Sequence, residues 1–223
     1  MLIALMTRIP EPGYTKTRLE SHFSKNECAL LHGAFIMDMV SMLNNNGLKY
    51  KVFYDVKGNV DKLKSILPVN APVIPQQGLN LGEKMYNALK WGFSNGYTKV
   101  GVLGTDLPTL ELSFIKSARN LLDVYDLVLG PTGDGGYYFL GMKMLHKEVF
   151  NIDNWGSSTV LESTITVINK LNLKWCLLPE CNDIDYFSDV IQLWKMLNEN
   201  KVESIPKHTY SLLKNLNVDS RVR

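Results

Sequence analysis

Three acidic residues at the expected ends of buried strands are the first candidates for chemistry. Asp106 follows the apolar run 100–104, and Asp183 and Asp185 follow an apolar run at 173–178. In an extended chain the two later acids face the same side, so both could meet an ion that Asp106 approaches from a neighbouring strand. Mg²⁺ takes one or two carboxylates together with substrate oxygens. We therefore expect a Mg²⁺ or Mn²⁺ site here, although Asp183 and Asp185 are also typical of a helix cap.

A basic loop follows the first predicted strand. Residues 8–19 form a rigid, glycine-containing segment that carries Lys16 and Arg18 into the expected start of a helix. Exposed main-chain N–H groups and the helix dipole attract an anion, and the two cationic side chains add donors. The spacing matches neither a P-loop nor a dinucleotide-binding turn, and a solvated basic helix start is the alternative. The residues expected to bind nucleotide phosphates are Thr7, Arg8, Gly13, Lys16 and Arg18.

Amide side chains precede a second predicted helix. Gln77, Gly78 and Asn80 form a short polar segment before the apolar positions of that helix. Amide groups can pair with the edge of a base or with a sugar, so these residues are expected to complete the nucleotide site. Asn80 is equally explained as a helix N-cap.

A glycine-rich loop lies between two apolar runs in the second half of the chain. Residues 130–136 surround Asp134 with glycines, which lets the backbone approach a ligand and presents the carboxylate to a hydroxyl group. A plain tight turn explains the same glycines. The segment 155–159 could supply an aromatic wall and hydroxyl groups, or only a loop and a helix cap. The residues expected to contact an acceptor molecule are Gly135, Gly136, Tyr137, Trp155 and Ser158.

Short apolar runs that alternate with amphipathic segments must position these residues. This alternation is typical of βαβ units around a mainly parallel sheet, so the class is α/β, and ligands bind beyond the carboxyl ends of such strands. The predicted strands cover residues 2–7, 50–54, 72–74, 100–104, 127–130, 137–142 and 173–178. The predicted helices cover residues 24–47, 80–96, 159–171, 188–198 and 207–216, with capping patterns at the first two.

Composition excludes several classes of protein. The chain has 223 residues, is 45% hydrophobic and carries a net charge of +2, so it predicts a globular fold without a general affinity for nucleic acid. It has no run long enough for a membrane span and no signal-peptide pattern. Three cysteines without paired spacing predict neither disulfides nor zinc, and a cytoplasmic location is expected. The four histidines stand apart and are expected to be structural or solvated.

Five motifs in a fixed order resemble one protein family. They are P-G-x-x-K-T-R-L at 12–19, Q-G-x-x-L-G-E at 77–83, G-T-D-L-P at 104–108, G-P-x-x-D-G-G-Y-Y at 130–138 and D-I-D at 183–185. Over residues 1–195 the chain resembles the DUF2064 family of glycosyltransferases, a radical-SAM and selenodomain-associated transferase type. The segments 16–19 and 78–80 are also similar to 2-phospho-L-lactate guanylyltransferase. The glycine-rich loop of sugar nucleotidyltransferases is replaced here by residues 8–14.

The resemblance implies a GT-A-like fold, which is the three-layer sandwich of nucleotide-diphospho-sugar transferases with a Rossmann-like sheet. A single domain is expected over residues 1–223, with a nucleotide-binding half at about 1–108 and an acceptor half at about 109–195. The C-terminal helices at about 196–223 could pack on their own sheet or form a homodimer.

The predicted function is a metal-dependent transferase that passes a sugar from a nucleotide-sugar donor to a small-molecule acceptor. Asp106, with Asp183 or Asp185, would hold the metal on the diphosphate, and Lys16 would act there with Arg18. Asp134 would orient or deprotonate the acceptor hydroxyl. The alternative is a nucleotidyltransferase that joins a nucleoside triphosphate to a phosphorylated small molecule and releases pyrophosphate. A second alternative is a nucleotide-binding module without catalysis.

Overall fold

A seven-stranded sheet forms the centre of the computed structural model, which describes residues 1–221. The strands are β1 (Leu2–Thr7), β2 (Lys49–Tyr54), β3 (Val73–Pro75), β4 (Val100–Gly104), β5 (Leu127–Pro131), β6 (Tyr137–Met142) and β7 (Trp175–Leu177). Their order is β3-β2-β1-β4-β6-β5-β7. All neighbouring pairs are parallel except the two that involve β6. The predicted α/β class with a mainly parallel sheet is confirmed.

The direction of β6 follows from the short connection that precedes it. Only residues 132–136 separate β5 from β6, and a connection of this length joins antiparallel strands because a parallel crossover needs a dozen residues or more. The turn is closed by the amide of Gly135, which donates to the carbonyl of Thr132 at 3.1 Å. The glycine-rich loop is therefore a hairpin turn as well as a candidate ligand contact.

Eight helices accompany the sheet within the described residues. They are α1 (Lys25–Asn45), α2 (Val60–Ile66), α3 (Leu81–Ser94), α4 (Leu112–Leu121), α5 (Val160–Lys170), α6 (Phe187–Asn198), α7 (Lys207–Asn215) and α8 (Val218–Arg221). The five predicted helices are present with ends shifted by at most two residues. The Ser24 hydroxyl and the Glu27 carboxylate form a capping box at α1, and Asn80 caps α3. The helices α2, α4 and α8 were not predicted.

Two apolar layers cover the faces of the sheet. On β1, Ile3 and Leu5 pack in one layer with α1, α2 and α4, whereas Leu2 and Ala4 pack in the other layer with α3 and α5. A strand that is buried on both faces reads as a continuous apolar run, which is why β1 and β4 were recognisable in the sequence. The carboxyl ends of the central strands, which carry the candidate residues, lie between these layers.

The C-terminal helices pack on α1 of the same chain. Leu31 and Phe35 on the outer side of α1 form a third apolar cluster with Trp194 and Leu213. The buried carboxylate of Asp38 also accepts hydrogen bonds from the main-chain N–H groups of His208 and Thr209 in the first turn of α7, at 3.0 and 2.8 Å. Within this chain the C-terminal helices therefore pack on α1 and not directly on the sheet. None of the helices in residues 1–221 has the length and apolar character needed to cross a bilayer.

The expected helix start at Lys16 and Arg18 is wrong. Lys16 has left-handed backbone angles, φ 52° and ψ 37°, and only a short 3₁₀ turn at Thr17–Leu19 follows it. The first α-helix begins at Lys25. A three-residue turn has no appreciable dipole, so an anion at this loop would depend on side chains rather than on a helix N-terminus.

Candidate functional site

A cleft of about 650 Å³ opens at the carboxyl ends of β1 and β4 and is bordered by the start of α3. The predicted site residues that line it are Thr7, Arg8, Lys16, Arg18, Asn80, Asp106, Tyr137 and Asp185. The predicted residues that do not line it are Gly13, Gln77, Gly78, Asp134, Gly135, Gly136, Trp155, Ser158 and Asp183. The cleft therefore joins the basic loop to two of the three candidate metal acids.

The ammonium group of Lys16 lies at the base of this cleft, where its side chain is only 3% exposed. Its Nζ donates hydrogen bonds to the main-chain carbonyl of Ile184 at 2.7 Å and to Asp185 Oδ1 at 2.9 Å. It also lies 2.8 Å from Asp106 Oδ1. Burial alone would lower the pKa of Lys16, but the two carboxylates raise it above its ordinary value. The lysine is therefore charged and enclosed by oxygen atoms.

Asp106 directly follows β4 and faces two cationic or polar groups. Its Oδ1 is buried between the Lys16 ammonium and His32 Nδ1, which lies 3.5 Å away, whereas the side chain as a whole is 37% exposed. The exposed part is therefore Oδ2, which can face a ligand in the cleft. Burial alone would raise the pKa of Asp106, but Lys16 and His32 hold it well below its usual range. Asp106 is an ionised acceptor across the ordinary pH range.

His32 is a member of this site that the sequence did not indicate. It lies on α1 and is buried, with Nε2 at 3.3 Å from the Thr7 hydroxyl and 3.2 Å from the Arg8 carbonyl oxygen. The Thr7 hydroxyl in turn lies 3.2 Å from the hydroxyl of Thr105. His32 is buried, as a structural histidine is, and it also contacts a cleft acid. No local pattern around a helical histidine signals such a contact, because the partners come from other strands.

Asp185 is occupied by two cations from the basic loop. Its Oδ2 accepts a hydrogen bond from Arg18 Nη1 at 2.7 Å, while its Oδ1 accepts from Lys16. The Arg18 guanidinium is 58% exposed and lies 5.2 Å from the ring of Tyr186. Arg18 thus keeps other N–H groups free to meet a ligand, whereas both oxygens of Asp185 already have partners. Asp185 lines the cleft, and its role as a metal ligand stays a prediction.

Gln76 rather than Gln77 lines the cleft. Gln76 Nε2 donates to the carbonyls of Thr7 and Phe53, at 3.1 and 2.9 Å, and the side chain lines the cleft. Gln77 contributes only its main-chain carbonyl, which accepts from Asn87. Asn80 caps α3 by accepting from the amide of Glu83 at 2.9 Å. The alternative interpretation of Asn80 as an N-cap is therefore correct, and its position on the cleft is a consequence of that cap.

Comparisons with known proteins fix the family. The structure superposes on a candidate nucleotide-diphospho-sugar transferase from Desulfovibrio desulfuricans G20 with a TM-score of 0.89 and 30% identity, over 99% of this chain and 97% of that chain. The profile of DUF2064, described as an uncharacterised protein conserved in bacteria, matches residues 39–157. The chain belongs to the DUF2064 family. The predicted family is thus confirmed, and the predicted transferase class agrees with this relative.

More distant structures share only the fold with this DUF2064 chain. A cytidylyltransferase from Leptospira borgpetersenii serovar Hardjo-bovis has a TM-score of 0.59 at 13% identity, over 98% of this chain and 94% of that chain. Rv0371c from Mycobacterium tuberculosis H37Rv, in complex with manganese, has a TM-score of 0.50 at 9% identity, over 87% of this chain and 98% of that chain. No curated protein sequence matches the chain.

The acids of the DUF2064 chain fit a divalent cation only if the substrate supplies most of the ligands. Within residues 1–221 no three His, Cys, Asp or Glu side chains are grouped so that they could hold a metal ion by themselves. Burial, followed by the charge of Asp106, raises the pKa of Asp183 to about 7. A cation would relieve that repulsion, and Asp106 Oδ2 is free to bind it. Because Mg²⁺ accepts one or two carboxylates with phosphate oxygens and water, this donor set fits.

The acceptor residues predicted for the DUF2064 chain lie together but mostly outside the cleft. The amide of Leu161 donates to the carbonyl of Gly135 at 3.0 Å, so the glycine-rich turn contacts the first turn of α5. The indole of Trp155 packs where Gly82 of α3 lacks a side chain, and it stacks on Phe150. Trp155 therefore packs against the core, and its contact with an acceptor stays a prediction. Tyr137 lines the cleft itself.

Proposed function

We propose that this DUF2064 chain is a metal-dependent transferase that binds a nucleotide-sugar in the cleft and passes the sugar to a small-molecule acceptor. The observation that supports it best is Asp106, which has one oxygen fixed between Lys16 and His32 and the other facing the cleft. A carboxylate that is ionised, oriented and open on one side is suited to a cation that bridges to a diphosphate. The fold shared with the Desulfovibrio protein supports the same proposal.

The basic loop would bind the diphosphate. Arg18 is half-exposed and retains N–H groups that can form paired hydrogen bonds with phosphate oxygens. Arg8 is exposed and lines the same cleft. A Mg²⁺ or Mn²⁺ ion held by Asp106 and Asp183 would neutralise charge that develops on the leaving diphosphate. In this proposal the half at residues 1–108 binds the nucleotide, and the half at 109–195 binds the acceptor.

The hairpin turn between β5 and β6 would orient the acceptor. Asp134 is exposed, and its Oδ1 accepts hydrogen bonds from the Thr132 hydroxyl at 2.6 Å and from the Gly136 amide at 3.1 Å. These bonds fix the carboxylate and leave Oδ2 for an acceptor hydroxyl, which Asp134 would orient or deprotonate. Burial raises the pKa of Tyr137, so its hydroxyl stays protonated at neutral pH and does not act as a base.

Calorimetric titration of the four nucleoside diphosphates, with Mg²⁺, with Mn²⁺ and with EDTA, tests this proposal. We expect affinity that rises at least tenfold with metal, and we expect Asp106→Asn to abolish that rise because a neutral amide is a poor ligand for a hard cation. The matched control is Asp123→Asn, which removes an acid paired with Lys99 on the exposed surface. Affinity that ignores divalent metal would contradict the proposal and favour a binding module without catalysis.

Nucleotidyl transfer is a second candidate, because the cytidylyltransferase from Leptospira shares this fold. In that reaction an acceptor phosphate attacks the α-phosphate of a nucleoside triphosphate, and pyrophosphate leaves. A pyrophosphate-release assay with the four triphosphates and a panel of sugar and acid phosphates separates the two reactions. Release supports nucleotidyl transfer. Turnover of a nucleotide-sugar to a nucleoside diphosphate, without pyrophosphate, supports glycosyl transfer.

A further inference from the structure

The Lys16 ammonium is surrounded by oxygen atoms of the protein itself, as expected for an internal counter-ion and not for a group that binds a ligand. A lysine ammonium has three N–H groups. Three protein oxygens, from Ile184, Asp185 and Asp106, lie within 2.9 Å of its Nζ. Two of these contacts, to Ile184 and Asp185, are hydrogen bonds, and the third is an ion pair with Asp106. The side chain is 3% exposed, so the ammonium has no open face for a phosphate.

The backbone at Lys16 supports the same interpretation. Left-handed φ angles are unfavourable for residues other than glycine and are tolerated best by asparagine and aspartate. In residues 1–221 the non-glycine residues with positive φ are Lys16 and four asparagines, Asn70, Asn172, Asn200 and Asn217. Lys16 is therefore held in a strained conformation by the contacts of its side chain.

These contacts join three distant parts of the chain. Lys16 lies in the loop after β1, Asp106 lies after β4, and Asp185 lies before α6. The main chain at Ile184 adds a second connection, because its amide donates to the carbonyl of Asp106 at 3.0 Å. Without a cation between them, the half-buried carboxylates of Asp106 and Asp185 would repel each other.

We propose that Lys16 is a positioning residue, the internal counter-ion that holds Asp106 and Asp185 in place, and that it does not contact the substrate phosphates, which Arg18 binds. This inference rests on the proposed function in that a diphosphate must bind in the cleft. It departs from the direct phosphate role that the sequence assigned to Lys16. Replacing Lys16 would then change ligand binding only through the positions of Asp106 and Asp185. Replacing Arg18 would remove a direct contact with the phosphates.

A charge-balanced pair of substitutions separates the two roles. The variants are Lys16→Met, Arg18→Gln and the double variant Lys16→Met/Asp185→Asn, which removes one positive and one negative charge. The probe is inorganic pyrophosphate, titrated in EDTA at fixed ionic strength. We expect Arg18→Gln to weaken pyrophosphate binding about tenfold or more, and the double variant to bind within about threefold of the wild type. A tenfold loss in the double variant would overturn the proposal.

Melting temperature and Mn²⁺ affinity give independent measurements. Lys16→Met should lower the melting temperature by about 6–20 °C, since it removes the cation that Asp106 and Asp185 share, and Asp185→Asn in the same chain should restore at least half of that loss. Lys16→Met should also bind Mn²⁺, measured alone by electron paramagnetic resonance, about tenfold more tightly. No restoration by Asp185→Asn, or unchanged Mn²⁺ affinity, would contradict the counter-ion role. If the wild type binds no pyrophosphate under any condition, the proposed function fails, while the melting temperatures still decide the role of Lys16.

Discussion

Gly135 provides a sharp test of how the glycine-rich turn is built. Its φ is +84°, and a Cβ at this position would overlap the main-chain carbonyl of Ser158. Gly156 has nearly the same φ, +88°, but nothing lies within 4 Å of the place its Cβ would occupy. Alanine at either position costs about 1–2 kcal/mol of left-handed strain. Gly135→Ala adds about 1–3 kcal/mol, because a clash with main chain cannot be relieved by rotating a side chain.

Urea denaturation of the two variants beside the wild type measures the difference. We expect Gly135→Ala to lower the free energy of unfolding by about 2–5 kcal/mol and Gly156→Ala by about 1–2 kcal/mol. The contrast isolates the clash, since the backbone strain is the same in both variants. Equal losses would refute the close contact between the turn and Ser158, and with it the rigid acceptor side of the proposal.

Three further outcomes are expected from buried or paired acids. Burial raises the pKa of Asp183 to about 7, so its contribution to stability is fully present below pH 3.8 and is lost as pH rises through about 7. In EDTA at pH 8, the free energy of unfolding of Asp183→Asn in urea should exceed that of the wild type by up to about 4 kcal/mol. Near pH 4 the two values should match. A hydrogen bond from Arg221 lowers the pKa of Glu27 to about 2 despite burial, so the contribution of Glu27 to stability is present above pH 4.5 and is lost as pH falls through about 2. Glu27→Gln should lower the free energy of unfolding by about 1–3 kcal/mol at pH 7. A loss that persists at pH 2 would contradict this explanation. Asp38→Asn should lower the free energy of unfolding by about 2–3 kcal/mol, because the amides at the start of α7 lose the carboxylate that accepts their hydrogen bonds. The same variant should be cleaved faster by a protease at residues 199–206. An unchanged cleavage rate would contradict this prediction.

The fold was predictable where local signals and burial agree. The strands β1 and β4 are apolar on both faces, and α1 and α3 begin at residues whose side chains cap them. The helix α2 has only seven residues, so its periodicity is too short to recognise, and α4 has no side-chain cap at its N-terminus. The turn at Thr17–Leu19 was misread as a helix start because the left-handed angle at Lys16 depends on contacts far away in sequence.

The candidate site was predictable as a region but not in every residue. The rule that ligands bind at the carboxyl ends of parallel strands brought the basic loop and Asp106 together correctly. The choice between Gln76 and Gln77 depends on strand register, because side chains alternate between faces and Tyr54 pairs with Pro75. The family motif at 77–83 contains Gln77, whereas Gln76 is the glutamine that lines the cleft. His32 was missed since its partners are strand ends and not helix neighbours.

The position of Asp106 in the cleft depends on contacts with several distant parts of the chain. Its carboxylate is held by a loop residue, Lys16, and by a helix residue, His32, while its main-chain carbonyl accepts from Ile184. Ile184 is itself buried in the cluster that joins α1 to the C-terminal helices. A change that loosens those helices would therefore reach the acids through Ile184, without any contact with the cleft. Substitutions at the interface of α1 with α6 should accordingly weaken metal-dependent nucleotide binding as well as stability, and they should do so together.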